Sequence, residues 1–185
     1  MSAIDRLLKN YSRQVSLPWS ANTAGKQRVW FAVYPPEEER RVRARLRQFE
    51  THTLEAGHGW AIVDLTPVLP EWLAAHEYRE AILSEPEHFS TNDEVEIRAT
   101  ELVRAACSRE EADANTVVAV VGLASLFDFM RVSSLIDRVE DGVRGRLLVF
   151  FPGVYAGNVY RFMDARDGFN YMAVPITTSE GFINP

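Results

Sequence analysis

Four residues of the types that bind anions, metals or reacting groups fall where buried strands are expected to end: Asp64, Ser125, Asp128 and Arg131. A carboxylate at the carboxyl end of a parallel strand can hold a metal or a ribose hydroxyl. A serine and an arginine beside it add a hydroxyl and a fixed cation. Together they form the candidate ligand site of a nucleotide- or metal-binding enzyme or sensor. A blander reading competes at each position. Asp64 precedes Thr66-Pro67, and an aspartate there commonly folds back to cap the turn, which is the preferred reading. Gly122-Leu123-Ala124-Ser125 has one glycine where phosphate-binding loops have two or three, so ordinary turn geometry is preferred over phosphate binding.

The rest of the catalytic inventory is thin. No GxxxxGK[ST], GxGxxG or GxSxG stretch occurs. His52, His58, His76 and His88 fall at helix edges or in polar loops of the first half, with no pair at metal-ligand spacing. Cys107 is the sole cysteine, which excludes an intrachain disulfide and a site built on several thiolates; it reads as a small buried apolar residue. No catalytic residue, metal or cofactor is assigned.

A second constellation mixes arginine, aspartate and aromatic residues: Arg131, Tyr155, Tyr160, Arg161, Asp164, Arg166, Asp167 and Phe169. Arginine and aromatic residues are enriched at interface hot spots, so these are the candidate protein-binding residues. The same mixture suits an internal salt-bridge lattice that ties a long loop down. A third cluster, Arg40, Arg43 and Arg47, shares one side of an expected helix. Glu37, Glu38 and Glu39 offset it, and the net charge of -6 opposes non-specific phosphate binding, so a solvated face is preferred over DNA contact.

The elements that position these residues follow from apolar periodicity. Residues 116–121 and 146–151 are short Val- and Leu-rich runs flanking a helical pattern over 131–141, which predicts a right-handed βαβ unit with parallel pairing. Further strands are expected at 28–34, 60–65 and, as an edge, 171–176. Helices are expected at 4–15, 37–54, 70–83 and after Thr91, where Thr91 and Glu94 have capping-box spacing. The alternation predicts one α/β domain over residues 1–185. It is a three-layer sandwich with helices on both faces of a mostly parallel sheet of about five strands, Rossmann-like or P-loop-like without a Walker motif. Ligands of such sheets gather at the carboxyl ends of the strands, which places both constellations at that edge. The amino terminus lacks an apolar core of signal-peptide type and no apolar run approaches the roughly 20 residues that span a bilayer, so a cytoplasmic protein without membrane contact is expected.

Several stretches resemble one family. Val120-Val121-Gly122-Leu123-Ala124-Ser125-Leu126-Phe127, Arg131-Val132-Ser133, Phe150-Phe151-Pro152-Gly153-Val154-Tyr155 and residues 160–176, with Asp164-Ala165-Arg166-Asp167-Gly168-Phe169-Asn170-Tyr171 within them, are similar to BrxB, a small core component of bacteriophage-exclusion (BREX) systems. Ile4-Asp5-Arg6-Leu7-Leu8 is similar to the family's start. The resemblance covers nearly the whole chain and is most specific in the last third. Asp128 departs from it, standing where the family often carries proline. What the resemblance implies is a non-enzymatic adaptor or assembly factor of a phage-defence complex. Its implied partner is a PglZ-like subunit, with a PglX-like methyltransferase as a possible second, and nucleic acid is reached only through the complex.

Overall fold

The computed structural model describes residues 1–85, 93–165 and 168–179. Five strands run parallel in the order β2-β3-β4-β1-β6, with β1 Val29–Tyr34, β2 Gly59–Asp64, β3 Thr116–Val121, β4 Arg146–Ala156 and β6 Val174–Ile176. A sixth, β5 (Val159–Phe162), pairs antiparallel with the end of β4. The expected α/β sandwich is present, with one strand more than the apolar runs indicated.

Burial explains the order. Every residue of β1 and β3 is buried, as are the first eight of β4, so these three occupy the middle. Side chains alternate between faces. Phe31, Val33, Val118, Val120, Leu147 and Val149 join one core with α4 (Val68–Ala75), α6 (Asp93–Ser108) and α7 (Val132–Val139). Trp30, Ala32, Tyr34, Val117, Ala119, Leu148 and Phe150 join the other with α1 (Ala3–Val15), α2 (Glu39–Ala44) and α3 (Leu46–Glu55). The unit β3-α7-β4 is the parallel crossover that the periodicity predicts.

Three expectations about element boundaries need correction. The helix expected over 37–54 is a 3-10 turn followed by α2 and α3, broken at Arg45, whose guanidinium reaches Asp5 of α1 at 2.7 Å. The helix expected over 70–83 is two, α4 and α5 (Arg79–Ser84). The strand expected to stop at Phe151 continues through Pro152-Gly153, and a two-residue turn at Gly157-Asn158, with φ of 57° and 64°, leads into β5. Positive φ at both turn residues marks the type I′ geometry that matches strand twist. Gly153 is required there, because a Cβ would lie 2.2 Å from the Arg161 carbonyl oxygen. Thr91 of the expected capping box lies outside the described residues.

Candidate functional site

At the carboxyl edge of the sheet, Asp64 ends β2 and folds back onto its own turn. Its Oδ1 accepts from the Thr66 amide at 2.9 Å and from the Thr66 hydroxyl at 2.5 Å. Arg43 of α2 reaches across to it, donating from Nη1 to Oδ2 and from Nη2 to Oδ1, both at 3.3 Å, and also donates to the Thr66 hydroxyl. The same guanidinium donates from Nε to Glu39 at 3.1 Å, and Glu39 accepts from the buried Tyr34 hydroxyl at 2.5 Å. Partial burial pushes the Asp64 carboxyl up, but the hydrogen bonds from Arg43 and Thr66 outweigh it and hold the group below its usual range.

The loop after β3 packs onto this turn. Gly122 has φ of 88°, and a Cβ there would meet the Thr66 amide at 2.5 Å and Asp64 Oδ1 at 2.7 Å. Ser125 donates its hydroxyl to the Gly122 carbonyl at 2.6 Å. Asp64 and Ser125 therefore each brace their own turn, and the two turns meet at Gly122. Asp128 and Arg131 are exposed, and among the described residues no hydrogen bond or ion pair ties their side chains to Asp64 or Ser125. Asp128 has φ of 67°, a left-handed value that the proline ring forbids. The departure from the resembled family thus sits on a backbone shape proline cannot adopt.

The candidate protein-binding residues divide by strand parity. The β4–β5 hairpin pairs Tyr155 with Tyr160 and Gly153 with Phe162 on one side, Val154 with Arg161 and Ala156 with Val159 on the other. The inner side lies over β1. Tyr160 is fully buried, 4.6 Å from the Phe31 ring, and its hydroxyl donates to the Ala173 carbonyl at 2.8 Å. Phe169 packs partly buried on the same cluster, 6.3 Å from Phe31. This corrects the expectation that these aromatics emerge at the strand ends: the hairpin turns back over the sheet, where helices cover the rest of that face. Tyr155 is half-buried, and its hydroxyl donates to Asn158 at 2.9 Å. The outer side exposes Val154 (53%), Val159 (36%) and Arg161, with Asp164 beyond. Arg166 and Asp167 lie outside the described residues. Among the described residues, no ion pair engages Arg131, Arg161 or Asp164.

Arg40 and Arg47 are exposed, whereas Arg43 is taken up by Asp64 and Glu39. Cys107 is buried as expected, and burial pushes its thiol up to about 11. Among the described residues no group of His, Cys, Asp and Glu is placed to hold a metal ion, and no helix is long and apolar enough to cross a membrane.

Sequence reasoning missed a cleft of about 580 Å³ at the opposite, amino-terminal edge of the sheet. The loop after α1 supplies Leu17, Pro18 and Trp19, β1 supplies Trp30, β4 supplies Arg146, and the segment before β6 supplies Met172. The available signal was Arg146 itself, a cation opening a strand whose next seven residues are all buried. Comparison of the chain with protein-family models, with curated proteins and with solved structures finds no match.

Proposed function

We propose that this chain is a non-catalytic adaptor that docks a partner protein through the outer side of its β4–β5 hairpin. The observation that carries the reading is the two-sidedness of that hairpin. Its inner side is spent on the core, while Val154, Val159 and Arg161 stand exposed next to Asp164. Apolar area beside an arginine that no carboxylate among the described residues engages is the makeup of an interface hot spot. The charged groups at the carboxyl edge support the same reading, because Arg43, Asp64 and Glu39 already satisfy one another.

The resemblance to BrxB supplies the partner. The motifs that carry it, residues 150–155 and 160–176, contain this hairpin and the segment that follows it. The proposed setting is a BREX-like phage-defence complex, with a PglZ-like subunit bound directly. That setting rests on the quoted residues.

Co-purification from cells carrying the neighbouring genes tests the proposal. The wild-type chain is expected to bring down the PglZ-like subunit, and Arg161→Glu combined with Val159→Asp to lose it while remaining folded. Recovery of the wild-type chain alone in low salt, or equal capture by the variant, overturns it.

A further inference from the structure

The amino-terminal cleft holds a buried cation that the protein itself satisfies only in part. Arg146 is 6% exposed, and it is the one charged side chain lining the cleft among the described residues. A guanidinium has five N–H donors. One hydrogen bond is made here, from Nη1 to the Gly145 carbonyl at 3.0 Å, and no ion pair is formed with a described carboxylate. The guanidinium carbon lies instead over two indole rings, 4.7 Å from the centre of Trp19 and 5.8 Å from that of Trp30, which stand perpendicular to each other. A cation–π contact offers a guanidinium no hydrogen-bond acceptor, so its remaining donors are left for a planar acceptor.

Two neighbours sharpen the sign of what is missing. Trp19 stacks on His58 at 3.7 Å with the rings 3° apart, and its indole N–H is buried without a partner. Arg28 lies close enough to disfavour the charged form of Arg146 beyond the cost of burial, and its own donors go to the carbonyls of Thr23, Val143 and Ala21. A desolvated cation beside a like charge costs free energy until an anion joins it. Among the described residues no Asp or Glu lines the cleft. The remaining wall is mixed: Leu17, Pro18, Met172 and Pro175 give it an apolar stretch, and Gln14, Gln27 and Asn158 add neutral polar groups. The volume falls within the roughly 300 to 1,000 Å³ of small-molecule sites.

We propose that this cleft binds an amphipathic organic anion. Its carboxylate or phosphate meets the edge of Arg146, and its apolar body lies along Leu17, Pro18, Met172 and Pro175. The cleft takes Tyr155 and Asn158 from the hairpin but none of Val154, Val159 and Arg161 on its outer side, and the proposal goes beyond the adaptor reading.

Octanoate and phenyl phosphate are the probes, with octanol and phenol as neutral counterparts, and the tryptophan fluorescence of the full chain is the readout. A saturable change is expected with at least one anion, about tenfold tighter than its neutral counterpart, as a charge-assisted hydrogen bond would give. A response to octanoate alone identifies a carboxylate ligand, and one to phenyl phosphate alone a phosphate. Arg146→Gln is expected to abolish the preference for the anion and Arg146→Lys to keep part of it. Met172→Glu places a carboxylate at a residue 68% exposed, so the core is untouched. It is expected to weaken the anion several-fold and leave the neutral counterpart unchanged, which decides the matter should Arg146→Gln not fold. No saturable change with either anion up to about 10 mM, equal affinity for the neutral counterparts, or an unaltered affinity in Met172→Glu overturns the proposal.

Discussion

Arg43 and Asp64 meet in a two-pronged contact, each terminal nitrogen of the guanidinium 3.3 Å from one carboxylate oxygen. This contact joins α2 on one layer to the end of the edge strand β2. The folded-state carboxyl titrates below its unfolded value of about 3.9. Its contribution is therefore complete above that value and is lost as pH falls through the lower, folded one. The side chains are 34% and 47% exposed, so solvent limits the pair to about 1 kcal/mol or less.

Arg43→Met is accordingly expected to lower stability slightly at pH 7 and by a smaller amount at pH 3. Urea denaturation at the two values checks it. An equal loss at both would show that the pair contributes nothing that depends on charge.

Gly122→Ala is expected to destabilise the fold by about 2 kcal/mol or more. It combines a left-handed backbone with a Cβ placed against the Thr66 amide. Gly142→Ala is the control: nothing lies within 4 Å of its Cβ, and a change within about 0.5 kcal/mol is expected. Similar denaturation midpoints for the two variants would contradict the packing of the β3 loop on the Asp64 turn.

The hairpin separates stability from binding. Tyr160→Phe removes a buried hydrogen bond to Ala173 and is expected to cost about 1 kcal/mol while leaving partner capture intact. Arg161→Glu, on the other side, is expected to reduce capture with little change in melting temperature. The reverse pattern would place the interface elsewhere.

Asp5 is held at about 2 by the Ser2 hydroxyl and amide, and by Arg45. Its support of α1 is present above the ordinary carboxylate range and fades as pH falls through about 2. Ser2→Ala is expected to return the titration of Asp5 toward about 4, as followed by carboxyl NMR. A wild-type Asp5 already titrating near 4 would refute the cap.

The central strands were legible because burial on both faces writes itself as unbroken apolar runs, as in Thr116–Val121. The Asp64 turn was legible because its partners lie two residues away. The break at Arg45 was not, since no Gly or Pro marks it and the pairing with Asp5 crosses from another helix. Val159–Phe162 alternates strictly, but four residues are a weak signal beside the stronger pull of an aromatic-rich segment toward a surface reading. The cleft was hidden because its wall is assembled from segments far apart in the chain, from Gln14 to Pro175.

The hairpin that roofs Phe31 has a consequence for the chain as it is made. Phe31 leaves the ribosome early, whereas the rings that shelter it, Phe151, Tyr160, Phe169 and Tyr171, are translated near the end. At roughly 5 to 20 residues per second, that interval is on the order of ten seconds. Throughout it the nascent polypeptide carries an unsheltered aromatic strand, so its yield in the cell is expected to rise with chaperone supply.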